Sequence, residues 1–113
     1  MSVIYKILRK AEWEELQHKG ETLGAPIDLQ DGYIHFSTRD TVAETATKHF
    51  AGETDLKLLA YQADVFGDAL KFEPSRGGAL FPHLYAPLPL DKTLWVRDLP
   101  LDNGLHQFPK DLP

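Results

Sequence analysis

Cysteine is absent from all 113 residues of the chain. That excludes disulfides, thiolate catalysis and cysteine-ligated zinc or iron–sulfur centres together, so cohesion must come from packing. Long apolar runs are also missing. The opening Met1-Ser2-Val3-Ile4-Tyr5-Lys6-Ile7-Leu8 is interrupted at Lys6, too soon for a signal peptide or membrane anchor, and the expectation is a cytoplasmic protein with no membrane partner. Cations are in the minority: twelve Lys and Arg face seventeen Asp and Glu, a net charge of −5. Nonspecific nucleic-acid binding draws on clustered cations, so that sign argues against it. No phosphate-binding P-loop or dinucleotide glycine motif occurs, and His18, His35, His49, His83 and His106 fall in no known ligand spacing. The expectation for metal is therefore none.

What is present fits one domain spanning residues 1–113, long enough to bury a core of its own. With 42% hydrophobic and 26% charged residues, the composition is that of a globular rather than a disordered chain. Val3 to Leu8 is β-branched and aromatic, a central strand. Ala11 to Lys19 has acids first, His18 and Lys19 last and Gly20 as a stop, which predicts a helix without a good N-cap. Gly24 to Gly32 reads as irregular, with room for a short strand or turn at Ile27 to Leu29. A second helix follows Ser37 or Thr38 as cap, with Val42, Ala46 and Phe50 on one stripe. Strands are expected at Leu56 to Asp64, Ala69 to Glu73 and Thr93 to Leu99, with Leu70 and Phe72 inward and Lys71 and Glu73 on the open side. Beyond Pro100 lies a hairpin or a tail. The order predicts an α+β fold with two main helices and antiparallel pairing in the second half.

One stretch carries chemistry. Asp31-Gly32 is a turn signal, and in the strand Tyr33-Ile34-His35-Phe36-Ser37 alternate side chains point to opposite faces. Ile34 and Phe36 enter the core while Tyr33, His35 and Ser37 line the other side. Phe81-Pro82-His83-Leu84-Tyr85-Ala86-Pro87-Leu88-Pro89 repeats the interleaving and cannot be helical, because its prolines fix φ and withhold donors. The two stretches are expected to meet at one site.

Asp31-Gly32-Tyr33-Ile34-His35-Phe36-Ser37-Thr38 and Phe81-Pro82-His83-Leu84-Tyr85-Ala86-Pro87-Leu88 resemble the two signature stretches of a family of small bacterial and plant proteins, domain of unknown function 952. Tyr33, Phe36 and Ala86 depart mildly from the expected Phe, Leu and Gly. The resemblance implies a fold similar to ADP-ribosyltransferases, a split pair of antiparallel sheets with NAD in the cleft between them. In such sites a His or Arg on a core strand holds the nicotinamide-side ribose, an aromatic ring stacks on nicotinamide, and a carboxylate steadies an oxocarbenium-like transition state. The resemblance thus implies His35 and Glu73 as catalytic residues and Tyr33, Ser37, Arg76, His83 and Tyr85 as ligand-binding residues. A small nucleotide-like ligand is the implied partner, with NAD as substrate rather than resident cofactor.

Plainer readings stand beside each assignment. His35 could be a structural histidine on a backbone carbonyl, His83 and Tyr85 a plug at the sheet end, and Glu73 a solvated strand residue. Arg76-Gly77-Gly78 could cradle phosphate or form a mobile turn. Trp13, Phe50, Phe72 and Trp95 read as core, and the threonines at 38, 41, 45 and 47 as a wet helix face. A Ser37–His35 nucleophile pair is disfavoured, because alternate positions on a strand sit about 6.6 Å apart. Three readings remain: an enzyme acting at the ribose C1 carbon, a noncatalytic module binding a protein or small anionic ligand in the same cleft or on the Pro-rich loop, and a packing role for both stretches.

Overall fold

The computed structural model describes residues 2–75, 78–110 and 112. In chain order its elements are β1 (Val3–Leu8), α1 (Lys10–Lys19), β2 (Glu21–Thr22), α2 (Pro26–Asp31), β3 (Ile34–His35), α3 (Val42–His49), β4 (Leu56–Gln62), β5 (Leu70–Pro74), β6 (Leu80–Leu84), β7 (Leu88–Pro89), β8 (Trp95–Leu99), β9 (Leu101–Asp102) and β10 (Leu105–His106). Short 3₁₀ turns occupy Ala63–Ala69 and Leu90–Lys92. This is an α+β arrangement of antiparallel sheets.

Two three-stranded sheets position everything else, one in the order β1-β4-β8 and the other β3-β6-β5. Among the described residues one antiparallel bridge links their backbones, in which Tyr5 and Ser37 exchange both hydrogen bonds at 2.8 Å. The first sheet is buried on both faces, which is why β1 and β4 read as nearly continuous apolar runs. Ile4, Leu8, Leu59 and Tyr61 belong to one core cluster with Ile34, Phe36 and Leu84 of the second sheet. Tyr5, Ile7, Leu56, Leu58 and Ala60 belong to another with Val42 and Ala46 of α3.

Three expectations are corrected. Residues 26–31 form a helix rather than an irregular stretch, giving three α-helices instead of two main ones. The cause is local: Pro26 takes the first helical position, where its missing N–H costs nothing, Asp28 accepts the Ala25 N–H at 2.8 Å, and Gly32 closes the helix at φ 83°. Second, α1 does have a start signal, since Glu12 reaches back to the Arg9 amide at 3.0 Å. Third, α3 begins later than a Ser37 or Thr38 cap would place it. Ser37 instead gives its hydroxyl to Thr45, and a Thr38–Thr41 turn precedes Val42.

Phe72 is also misplaced by the alternation argument. It is 45% exposed on the edge strand β5, whereas Glu73 next to it is only partly exposed. An edge strand has one neighbour, and the core here ends at Leu70 and Leu84, so the inward face beyond them meets solvent. We expect Phe36→Ala, at a fully enclosed position, to cost about 3–5 kcal/mol in urea unfolding, and Phe72→Ala less than about 1 kcal/mol. Equal losses at the two positions would contradict this placement.

Candidate functional site

The site starts from a charge inside the core. Lys6 lies on the face of β1 that carries Ile4 and Leu8, so its stem runs into the space between the sheets. Its Nζ donates to Asp28 Oδ2 at 2.9 Å and to the His35 carbonyl at 2.8 Å. Asp28 is buried and accepts three further bonds: from Ala25 N at 2.8 Å, from His35 N at 3.0 Å and from His35 Nδ1 at 2.6 Å. Burial alone would raise the Asp28 carboxyl. The His35 and Lys6 donors outweigh it and hold the group at about 2. Burial pulls the Lys6 ammonium down while Asp28 pushes it back up. Both Lys6 partners accept, and the Asp28 carboxylate supplies the counter-charge that favours the ammonium form. Gly24, at φ 97°, leaves room for this carboxylate; a Cβ there would collide with Asp28 Oδ2.

His35 is thereby fixed in position. Its other nitrogen, Nε2, sits 2.9 Å from Asp31 Oδ2. Each of its two ring nitrogens thus faces a carboxylate oxygen. Opposite it in the β3–β6 register stands His83. The Tyr33 ring packs on both imidazoles, 4.2 Å from His83 in a stacked geometry and 4.7 Å from His35, and 5.2 Å from Tyr85. The two imidazoles are 5.5 Å apart.

Glu73 closes the cluster from β5. One oxygen, Oε1, accepts from Tyr85 Oη at 2.7 Å and lies 2.8 Å from His83 Nδ1. Strand alternation explains the meeting, since Glu73, His83 and Tyr85 share one face and Glu73 lies diagonally across from His83. The Tyr85 and His83 bonds hold the Glu73 carboxyl below its usual range, and the same bond pushes the Tyr85 hydroxyl up to about 12. Burial and the charges of Asp31 and Glu73 raise Tyr33 as well. The aromatic rings are thus flanked by the carboxylates of Asp31 and Glu73.

A cavity of about 600 Å³ opens beside this cluster, along the line where the two sheets part. Tyr33, His35, Ser37 and His83 all line it, together with Asp31, Arg9, His49 and Phe50. Arg9 is held by Glu53 and lies over the Phe50 ring at 4.5 Å. Glu73 and Tyr85 stand behind His83 rather than in the cavity wall. Arg76 lies outside the described residues. The threonine face of α3 is partly dry: Thr45 lines the cavity and takes the Ser37 hydroxyl at 2.9 Å.

Sequence reasoning brought His35 and His83 together but missed Lys6, Asp28 and Asp31. The signal for the first two was available, since a lysine inside an otherwise apolar central strand needs a buried acid. Asp28, between Ile27 and Leu29, was the acid to look for.

Residues 7–96 match the family described as "Protein of unknown function (DUF952)". The chain belongs to this family. The crystal structure of protein CC0527 from Caulobacter crescentus superposes with a TM-score of 0.90 at 47% identity, covering 94% of each chain. The solution NMR structure of the same protein gives a TM-score of 0.84, covering 95% of this chain and 93% of that one. No curated protein matches the chain. Within the DUF952 fold, then, the carboxylate-clamped imidazole and the cavity beside it are read from this chain's own geometry.

Breaking the clamp should expose its energetic weight. Asp28→Asn would leave Lys6 buried without its counter-charge and is expected to cost about 3–5 kcal/mol in urea unfolding at neutral pH. The pH dependence follows from a folded-state value near 2 against the ordinary 3.8. The carboxylate's contribution is fully present above the ordinary value and is lost as pH falls through the folded one. The wild-type protein should therefore lose about 2 kcal/mol on acidification from about pH 5 to about pH 2 that Asp28→Asn does not lose. A pH-independent difference between them would refute the assignment.

Proposed function

We propose that the cavity binds NAD, ADP-ribose or a related nucleotide, and that the chain cleaves or transfers at the ribose C1 carbon on an ADP-ribosyltransferase-like fold. The observation that carries this reading is the convergence of Tyr33, His35, Ser37 and His83 on one cavity at the parting of two antiparallel sheets. Its volume suits a small organic ligand. His35, held by Asp28 and Asp31, is the rigid group on the ribose side. The Tyr33 face and the Asp31 carboxylate on the cavity wall offer negative charge where a nicotinamide cation departs and an oxocarbenium-like centre develops, with Glu73 acting from behind His83. Tyr85, farther from the cavity, supports Glu73.

A second reading has its own support. The site's polar groups already satisfy one another: both His35 nitrogens meet carboxylates, and Glu73 holds His83 and Tyr85. A ligand must compete with these bonds, which suits a noncatalytic module of modest affinity as well as an enzyme. Adding NAD and ADP-ribose separately to the ¹⁵N-labelled protein, while measuring nicotinamide release, discriminates between the readings. We expect amide shifts in residues 31–37 and 81–85 at up to about millimolar ligand, with nicotinamide appearing above the buffer rate. Shifts without release leave the binding module; no shift in either segment removes the nucleotide reading altogether.

A further inference from the structure

The two histidines are alike in sequence setting and opposite in hydrogen bonding. His35 has a carboxylate at each ring nitrogen, so both are already engaged. His83 has one carboxylate, at Nδ1, 2.8 Å from Glu73 Oε1. Its Nε2 bonds to no group among the described residues. That atom is not sealed either, because among the described residues the one buried and unpartnered side-chain atom is Gln62 Oε1. The His83 side chain is only 4% exposed, and His83 lines the cavity. A carboxylate at Nδ1 requires a proton on that nitrogen. The neutral ring therefore carries its lone pair on Nε2, in a residue that lines the cavity.

We propose that His83 is the proton acceptor of this site, with Glu73 as its positioning residue. The role rests on the nucleotide reading above. As a hydroxyl oxygen of water or of an alcohol acceptor forms its bond to ribose C1, the C1–N bond breaks and its electron pair leaves on the nicotinamide nitrogen. The hydroxyl proton passes to His83 Nε2, and the imidazolium so formed is held by the Glu73 carboxylate at Nδ1. Tyr85, donating to the same Glu73 oxygen, and Tyr33, stacked on the ring at 4.2 Å, keep the dyad from turning. His35 stays with the ribose, and the chemistry is divided between two strands in direct register.

The tautomer can be read without any substrate. Long-range ¹H–¹⁵N correlation spectra of the intact chain at about pH 8 should show His83 with its proton on Nδ1 and a bare Nε2. A proton on Nε2 overturns the proposal, whatever the ligand result. The kinetic arm uses His83→Asn, which keeps a donor for Glu73 and removes the base. Its nicotinamide release should fall about 100-fold with NAD affinity changed less than about threefold. Glu73→Gln, which keeps the acceptor oxygen and loses only charge, serves if the first variant does not fold, and should lower release about tenfold at unchanged affinity. Undiminished release in a folded variant rules out proton transfer at His83, and so does a wild-type chain that binds NAD without releasing nicotinamide. Failure to bind NAD at all ends the nucleotide reading, while the tautomer measurement still decides whether the dyad exists.

Discussion

Asp28 carries a full negative charge where water does not reach it, and the rest of the site is arranged around satisfying that charge. Four donors converge on its two oxygens: an ammonium, two backbone amides and an imidazole. They come from α2 and its entry, from β1 and from β3, so one carboxylate ties together three segments of the chain. A buried pair of this kind adds less to net stability than its Coulomb attraction implies, because both charges were first taken out of water. Its value lies in geometry. With Lys6 also bound to the His35 carbonyl, neither the backbone nor the ring of His35 can move without breaking a hydrogen bond to a buried charged group.

That rigidity passes outward in steps. His35 is fixed by Asp28, Tyr33 packs on His35 and His83, and His83 is turned by Glu73. The cluster therefore combines a deep ionic anchor with a half-exposed acidic rim, and it sits where the sheets are joined by one bridge rather than by a full ladder. A partial join leaves room for a cavity; a complete one would have filled that space with side chains.

Much of this was legible in the chain. Strand alternation put Ile34 and Phe36 inside and Tyr33, His35 and Ser37 on the opposite side, and all five lie there. A continuous apolar run marked β4 as buried, and it is the middle strand of its sheet; β1, expected near the centre, lies at the edge and owes its apolar run to packing on both faces. Prolines kept residues 81–89 out of helix. The same alternation failed for Phe72, because periodicity says which side chains share a face but not whether anything covers it. It failed for α2 because six residues are too few for a helical period to show, although Pro26, Asp28 and Gly32 each held a capping position.

The amino-acid sequence alone determined the absence of thiol chemistry, the antiparallel α+β class and the two stretches whose imidazoles would matter, since these depend on residue identity and on patterns a few positions long. Tertiary structure decided the rest: that Lys6 meets Asp28 across twenty-two positions, that Glu73 backs His83, and that both ring nitrogens of His35 are engaged while His83 keeps one open. Those outcomes depend on hydrogen bonds between distant segments. Such bonds have no period along the chain and take shape only when burial forces every charged group to find its partner.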